Sequence, residues 1–238
     1  MSISRPAPSR LEGAARATAV LLVLGALAYS AWILEAVVRT GLDPVRSYVS
    51  ELMATDQPHG DFFRASDLTA GILVLAAALT ALWNTRRAAT GPRGLGLVRA
   101  GWGAVALFGA ATAADSRLPL SCTPTAAPAC AAREDAGLVP FTHTAHAVSS
   151  ALAMAAAVAA MLLLTYAARR HRMWRPLATA GPVLVALELA ATVWTLAAVA
   201  AFEAGHGTWA LGAGQRLQVL LVAVWLGVLA VSVSKERP

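Results

Sequence analysis

The chain has 238 residues, of which 58% are hydrophobic and only 13% are charged. Because a soluble domain carries about 25% charged residues, this composition excludes an ordinary soluble protein. The net charge of +6 is compatible with nucleic-acid binding, but the positions of the basic residues explain it differently.

Six apolar stretches follow one another along the chain, at 17–38, 65–83, 95–114, 145–167, 177–202 and 208–233. Each is long enough to cross a hydrocarbon core of about 30 Å as a helix. Uncharged runs of this length are unlike the alternating strands of about 10 residues that build membrane barrels. We therefore expect an all-α, polytopic bundle of six transmembrane helices, forming one domain over 17–233 with tails at 1–16 and 234–238.

The basic residues predict the orientation of this bundle. Most of the 19 lysines and arginines precede the first stretch, follow the second and the fourth, or lie at the C-terminus, which is one side of a six-span chain. The positive-inside rule places this side, and with it both termini, in the cytoplasm. The outer loops are then 39–64, 115–144 and 203–207, and most acidic residues fall in or beside them. We expect a multi-pass protein of the cell membrane that does not bind nucleic acid.

Only two cysteines are present, Cys122 and Cys130, and both lie in an outer loop. In an oxidising compartment such a pair predicts a disulfide. The alternative is a metal or redox pair, but the spacing C-x7-C is wider than that of a zinc knuckle or a thioredoxin motif.

Titratable residues recur near the outer ends of the predicted helices. His143 and His146 begin the fourth span and project from one helix face, which continues to Ser150. Asp115 closes the third span and Asp67 opens the second. Because charged groups within a membrane are costly, we expect these side chains to meet in the bundle interior or in an aqueous vestibule. The alternative is a structural role, in hydrogen bonds between helices or, for Asp67, as an N-terminal cap.

The same residues are candidates for catalysis. His143, His146 and Asp115 form a tentative zinc set in which a bound water would be activated, although H-x-x-H lacks the glutamate of the metalloprotease motif. Ser50 and Glu51 in the first outer loop add a nucleophile or an acid, or else belong to a solvated loop or a helix cap. The predicted catalytic residues are His143, His146, Asp115, Asp67 and Glu51. A cofactor is not specified beyond the zinc hypothesis.

Two further charged residues lie deeper in the predicted bundle, Glu188 in the fifth span and Arg216 in the sixth. One interpretation is a buried ion pair between them. The other is that Arg216 faces the vestibule and binds an anionic group such as a lipid phosphate, together with Glu203 and His206. The candidate ligand-binding residues are thus Arg216, Glu188, Ser50 and Ser150.

Four motifs carry a resemblance to a known family: S-E-L at 50–52, D-L-T-A-G at 67–71, D-S-R-L-P-L-S-C at 115–122 and H-T-A-H-A-V-S-S at 143–150. With them the chain resembles the DUF998 family of six-span membrane proteins over nearly its whole length, and it is distantly similar to the Frag1/DRAM/Sfk1 group. The resemblance implies the fold and the topology, and it implies no activity.

The leading functional hypothesis is a vestibule near the outer leaflet that binds a lipid or another amphiphile. A membrane enzyme would use its histidines and carboxylates for acid–base or metal-assisted chemistry. A lipid-sensing or scaffold protein would need the same groups for packing alone. A small proton-coupled transporter would use them as a relay.

Overall fold

A computed structural model describes residues 10–87 and 95–235. The described chain is mainly helical and contains no strand. Its helices are α1 (Arg10–Tyr29), α2 (Gly60–Arg87), α3 (Leu95–Asp115), α4 (Pro128–Asp135), α5 (Phe141–Arg170), α6 (Arg175–Glu203) and α7 (Leu211–Lys235). Two short 3-10 segments, Ala31–Ala36 and Val49–Met53, lie between α1 and α2.

Six stretches are long and apolar enough to cross a membrane: Glu12–Ala36, Gly60–Thr85, Gly96–Asp115, Phe141–Arg170, Arg175–Glu203 and Leu211–Lys235. The predicted six-span, all-α architecture is therefore confirmed. The helices run further than the predicted spans, since α2 begins at Gly60 rather than at 65 and α5 at Phe141 rather than at 145. Their first turns are polar, and a hydropathy pattern detects only the apolar part of a helix. Of the predicted tails, 1–9 and 236–238 lie outside the described residues.

The six long helices close into a ring. Successive helices pack against each other in the order α1, α2, α3, α5, α6 and α7, and α7 packs in turn against α1. The short connections predicted such neighbours along the chain, whereas the closing contact between α1 and α7 joins the two ends of the sequence. Because the described chain has six spanning helices, it begins and ends at the same end of the bundle.

The two ends of the ring differ in composition. One end, called here the arginine-rich end, contains the start of α1, the turn from α5 to α6 and the end of α7. The other, called the loop end, contains the segments that join α1 to α2, α3 to α5 and α6 to α7. A continuous apolar core, which includes Trp102, Leu164, Leu177, Trp225 and Leu229, fills the ring mainly toward the arginine-rich end. The buried charged residues lie in the loop-end half or near mid-helix.

Helices α2 and α3 approach each other closely at two glycines. A Cβ atom added to Gly71 would lie 2.5 Å from the Ala113 nitrogen, and one added to Gly109 would lie 2.6 Å from the Leu75 nitrogen. Contacts this short are made to backbone atoms, which cannot move aside like a flexible side chain. Small residues of this kind allow membrane helices to pack backbone against backbone. The contact fixes the loop-end half of α2 relative to α3.

Candidate functional site

Glu35 and Arg216 form a bidentate ion pair where α1 and α7 meet. Glu35 lies in the 3-10 segment that follows α1, and its two carboxylate oxygens accept from Nε and Nη2 of Arg216 at 2.6 and 2.7 Å. The remaining guanidinium nitrogen, Nη1, donates to the carbonyl oxygens of Ser47 and Gly212. The pair is almost completely buried. It holds the first loop, α1 and α7 together.

Arg216 has a different partner from the one considered from the sequence. Its partner is Glu35, so the ion pair with Glu188 considered from the sequence is not formed. Glu203 and His206 are exposed and contribute nothing to it. All three guanidinium nitrogens already donate within the protein, which favours a structural role for Arg216 over binding of an anion.

Glu51 is a completely buried acid in the first loop. It lies in the 3-10 segment Val49–Met53, and its carboxylate accepts from the backbone and the hydroxyl of Thr125, with 2.7 Å between Thr125 N and Glu51 Oε1. Burial raises the pKa of this carboxyl above its ordinary value of 4.5, and the bonds from Thr125 and Ser47 offset part of the rise. Ser50 is half-buried beside it. Glu51 thus fastens the first loop to the loop between α3 and α5.

The predicted disulfide between Cys122 and Cys130 is present. The ring that it closes contains Thr125, the partner of Glu51, and follows Ser121, whose backbone N–H donates to Nδ1 of His143 at 3.0 Å. His143 is 1% exposed. The disulfide loop therefore lies over the start of α5 and is bonded to two of the predicted site residues.

The second nitrogen of His143 faces an acid that the sequence did not single out. Because Nδ1 accepts a backbone N–H, neutral His143 carries its hydrogen on Nε2. This buried Nε2 has no hydrogen-bond partner within the described residues, and its closest charged atom is Glu134 Oε1, at 3.5 Å. Glu134 belongs to α4, a short polar helix that hydropathy did not predict. His143 is thereby held between the disulfide loop and α4.

Four residues of α3 and α5 form a connected polar group, called here the Asp115 cluster: Asp115, His146, Ser149 and Ser150. Asp115 is the last residue of α3, and it accepts hydrogen bonds from both serines. His146 Nδ1 lies 3.2 Å from Asp115 Oδ1 and 3.0 Å from the Leu118 carbonyl oxygen. Two acceptors at this nitrogen place its hydrogen on Nδ1. The opposite ring nitrogen, Nε2, is left facing Ser150 Oγ at 3.3 Å.

The Ser150 hydroxyl has more acceptors than it can satisfy. It lies 3.0 Å from each carboxylate oxygen of Asp115, in addition to Nε2 of His146. With one hydrogen, it donates either to the carboxylate, with a protonated His146 donating to the hydroxyl oxygen, or to a neutral His146. These arrangements differ by one proton, so the cluster can take up or release a proton without moving its heavy atoms. Ser150 is only half-buried, whereas Asp115 and His146 are buried.

Asp67 lies about two turns inside α2, which begins at Gly60. Its interpretation as an N-terminal cap is therefore wrong. The carboxyl group makes no hydrogen bond or ion pair within the described residues, and Asp115 is close enough to act on it electrostatically. Tyr29, at the end of α1, is within electrostatic range of Asp67, Asp115 and Glu188. The carboxyl groups of three helices thus act electrostatically on the same tyrosine.

Glu188 is buried near the middle of α6. Its Oε1 is 3.5 Å from Nε2 of Gln218 on α7, and this amide also donates to Thr192 at 2.9 Å. The other carboxyl oxygen, Oε2, has no partner within the described residues. Glu188 forms a polar contact between α6 and α7 near the middle of α6.

The two histidines of H-x-x-H do not converge on one point. His143 bonds to the disulfide loop, whereas His146 bonds to Asp115. Within residues 10–87 and 95–235, no three histidine, cysteine, aspartate or glutamate side chains are grouped so that they could hold a metal ion. His143, His146 and Asp115 are therefore not grouped as a metal site.

Three residues that complete the site were not recognised from the sequence: Tyr29, Thr125 and Glu134. The hydrogen bond that Ser149 donates to Asp115 was not predicted either. Tyr29 is the one tyrosine of α1 and lies two residues before the 3-10 segment, so a polar aromatic residue within an apolar stretch was the available sequence signal. Thr125 and Glu134 lie in a loop whose path no periodic pattern describes. Their contacts depend on how the disulfide loop folds over the helices.

A closed ring of six apolar spanning helices, with buried titratable groups concentrated toward one end, defines a multi-pass helical membrane protein. Residues 18–232 match the family model described as "Protein of unknown function (DUF998)". The chain belongs to the DUF998 family, in agreement with the resemblance of its motifs. No curated protein and no solved structure matches it.

Proposed function

We propose that the protein binds a lipid or another amphiphile in the loop-end half of the bundle, at the outer leaflet of the cell membrane, and performs acid–base chemistry on it. His146 is the residue that gives or takes the proton, Asp115 orients and neutralises its charged form, and Ser150 connects the pair to the bound molecule. Asp67 supplies a second carboxyl group across the site. Hydrolysis and acid-catalysed rearrangement both fit this proton transfer.

One observation carries the proposal, namely the hydroxyl of Ser150 shared between His146 Nε2 and the Asp115 carboxylate. A purely structural clamp between α3 and α5 would bury its donors, as Ser149 is buried. Ser150 instead keeps part of its surface accessible. A histidine held by a carboxylate on one nitrogen and facing an accessible hydroxyl on the other is the usual arrangement of a general base.

A role as a transmembrane proton relay is less well supported. Titratable side chains reach from the loop end to Glu188, near the middle of the bundle. Beyond it, the buried polar residues of the described arginine-rich half are Thr18, Thr165 and Ser232, which do not titrate near neutral pH. The surrounding core is apolar. Such an arrangement favours a site that is open toward one face.

The alternative of a purely structural role is supported for other buried charged residues. The pair of Glu35 and Arg216 and the bonds of Glu51 to Thr125 are saturated within the protein, and they fit a structural role. We therefore assign these residues to maintaining the site, and the chemistry to the Asp115 cluster and Asp67.

The proposal is tested with full-length protein reconstituted in lipid extracted from the membrane in which it is expressed. Mass spectrometry before and after incubation would identify any amphiphile that is consumed and the product that appears. We expect conversion by the unsubstituted protein and a loss of about 100-fold or more in His146→Gln, because general acid–base catalysis contributes roughly 10²–10⁴. The amphiphile should still co-purify with His146→Gln.

The matched control is His206→Gln, which changes an exposed histidine of the last loop. It should convert the amphiphile like the unsubstituted protein. If extracts treated with unsubstituted protein and with folded His146→Gln have the same composition, the catalytic part of the proposal is wrong. If neither protein retains an amphiphile, the binding part is wrong as well.

A further inference from the structure

A hollow of about 360 Å³ lies at the arginine-rich end, at the turn from α5 to α6. Three arginines surround it, Arg169, Arg172 and Arg175. All three are exposed, and none forms an ion pair with a carboxylate of the described chain. The hollow is therefore a concentration of positive charge that the described protein does not neutralise.

The turn that carries these arginines is held in a defined conformation. Arg172 and Trp174 have φ values of 54° and 50°, a left-handed conformation that residues other than glycine rarely adopt. Trp174 is buried and packs edge-on against Trp102, with 6.3 Å between the ring centroids. Arg175 begins α6, where the helix dipole adds positive potential. The packing of Trp174 thus fixes the backbone from which the three arginines extend.

A second hollow of about 490 Å³ lies beside the first and shares Thr179 with it. It runs between α6 and α7 and is lined almost entirely by apolar side chains: Pro176, Ala180, Val224, Gly227, Val228 and Val231. A Cβ atom added to Gly227 would meet nothing within 4 Å, so space is open above this residue. The apolar groove therefore begins where the arginines end.

We propose that the two hollows form one binding site for an anionic phospholipid. The phosphate binds to Arg169, Arg172 and Arg175, and an acyl chain lies in the groove between α6 and α7. Guanidinium groups suit phosphate because they donate two parallel hydrogen bonds, and basic pockets between transmembrane helices suit anionic headgroups. A soluble phosphate compound would use the arginines and leave the groove unoccupied, so the combination favours a lipid. This site is separate from the Asp115 cluster and does not depend on the function proposed there.

The test uses the full chain in a non-ionic detergent, titrated with dioleoyl phosphatidylglycerol, with dioleoyl phosphatidylcholine and with inorganic phosphate. Native mass spectrometry gives the apparent affinity for each probe. We expect phosphatidylglycerol to bind more tightly than phosphatidylcholine, and Arg169→Gln, Arg172→Gln and Arg175→Gln each to weaken it roughly five-fold. Arg99→Gln, an exposed arginine on α3 outside the hollow, is the matched control and should bind normally.

The apolar groove is tested separately with Gly227→Leu, which fills it without a backbone clash. Gly103→Leu is its control, because a Cβ atom at Gly103 also meets nothing within 4 Å. We expect Gly227→Leu to weaken phosphatidylglycerol binding and Gly103→Leu to leave it unchanged. Equal affinities for the two lipids, or an equal loss in Arg99→Gln, would overturn the proposal. Binding of inorganic phosphate alone, unaffected by Gly227→Leu and as tight as that of the lipid, would also overturn it and indicate a soluble anion.

Discussion

Glu35 and Arg216 are 181 residues apart in sequence and form a buried bidentate ion pair that joins the first and last spans. Removing one partner leaves an uncompensated charge in a water-poor environment. We expect Glu35→Met and Arg216→Met each to lower the free energy of unfolding by about 3–5 kcal/mol. The measurement is unfolding in detergent, followed by circular dichroism.

The double variant Glu35→Met/Arg216→Met distinguishes charge from packing. Replacement of both buried charges by apolar side chains is often close to neutral, so it should recover most of the loss. Asp43→Asn, in the exposed pair with Arg46, is the control and should cost about 0–1 kcal/mol. Additive losses in the double variant would show that the pair does not act as a unit.

Glu51 should make the stability depend on pH. Burial raises its pKa above 4.5 in the folded protein, so the folded state binds this proton more tightly than the unfolded chain does. Stability relative to Glu51→Gln is therefore greatest below 4.5 and declines as the pH rises through the interval between 4.5 and the raised pKa. Thermal unfolding over a pH series measures the difference.

The control for this experiment is Asp135→Asn, at the exposed end of α4. Its unfolding curve should run parallel to that of the unsubstituted protein. Parallel curves for Glu51→Gln as well would show that Glu51 is ionised equally in the folded and unfolded states.

The disulfide should stabilise the loop that holds His143 and Glu51. Cys122→Ser/Cys130→Ser should lower the free energy of unfolding by about 2–3 kcal/mol, the loop-closure entropy of a ring this short. Reductant should have the same effect on the unsubstituted protein and none on the double variant. Because Thr125 lies in the ring, the pH dependence caused by Glu51 should also change. Unchanged stability on reduction would mean that the helices alone hold the loop.

The contact between α2 and α3 should be sensitive to a single methyl group. Gly71→Ala and Gly109→Ala would place a Cβ atom 2.5 to 2.6 Å from backbone nitrogens, so the helices must separate. We expect losses of about 1–3 kcal/mol, the usual cost of overpacking. Gly103→Ala has open space and is the control, for which helix propensity predicts no loss. Equal unfolding midpoints for all three variants would contradict the close approach.

Six spans and the disulfide could be predicted because each depends on a signal that the sequence carries locally. Apolar length specifies a transmembrane helix wherever it occurs, and two cysteines in one loop leave a single intrachain pairing. The residues at which the helices begin and end could be predicted less precisely from the sequence. α2 starts at Gly60 because its polar first turns continue beyond the apolar stretch, and Asp67 is consequently an interior residue rather than a cap.

The partners of the charged residues could not be predicted in the same way. The short connection between α6 and α7 suggests Glu188 as an ion-pair partner for Arg216, but the ring closes through α1 and brings Glu35 to it instead. Glu134 and Thr125 acquire their contacts from the path of an irregular loop. Only the pairing of His146 with Asp115 follows from adjacent helix ends, since both residues lie where α3 and α5 approach the loop end.

Closure of the ring through α1 and α7 has a consequence for biosynthesis. The ribosome releases α1 before α7, and α7 supplies both a neighbour of α1 and the cation that pairs with Glu35. Until that helix is inserted, α1 offers lipid a face that is later covered. A nascent copy halted before α7 therefore displays an open edge on α1 and a carboxylate, that of Glu35, without its cation.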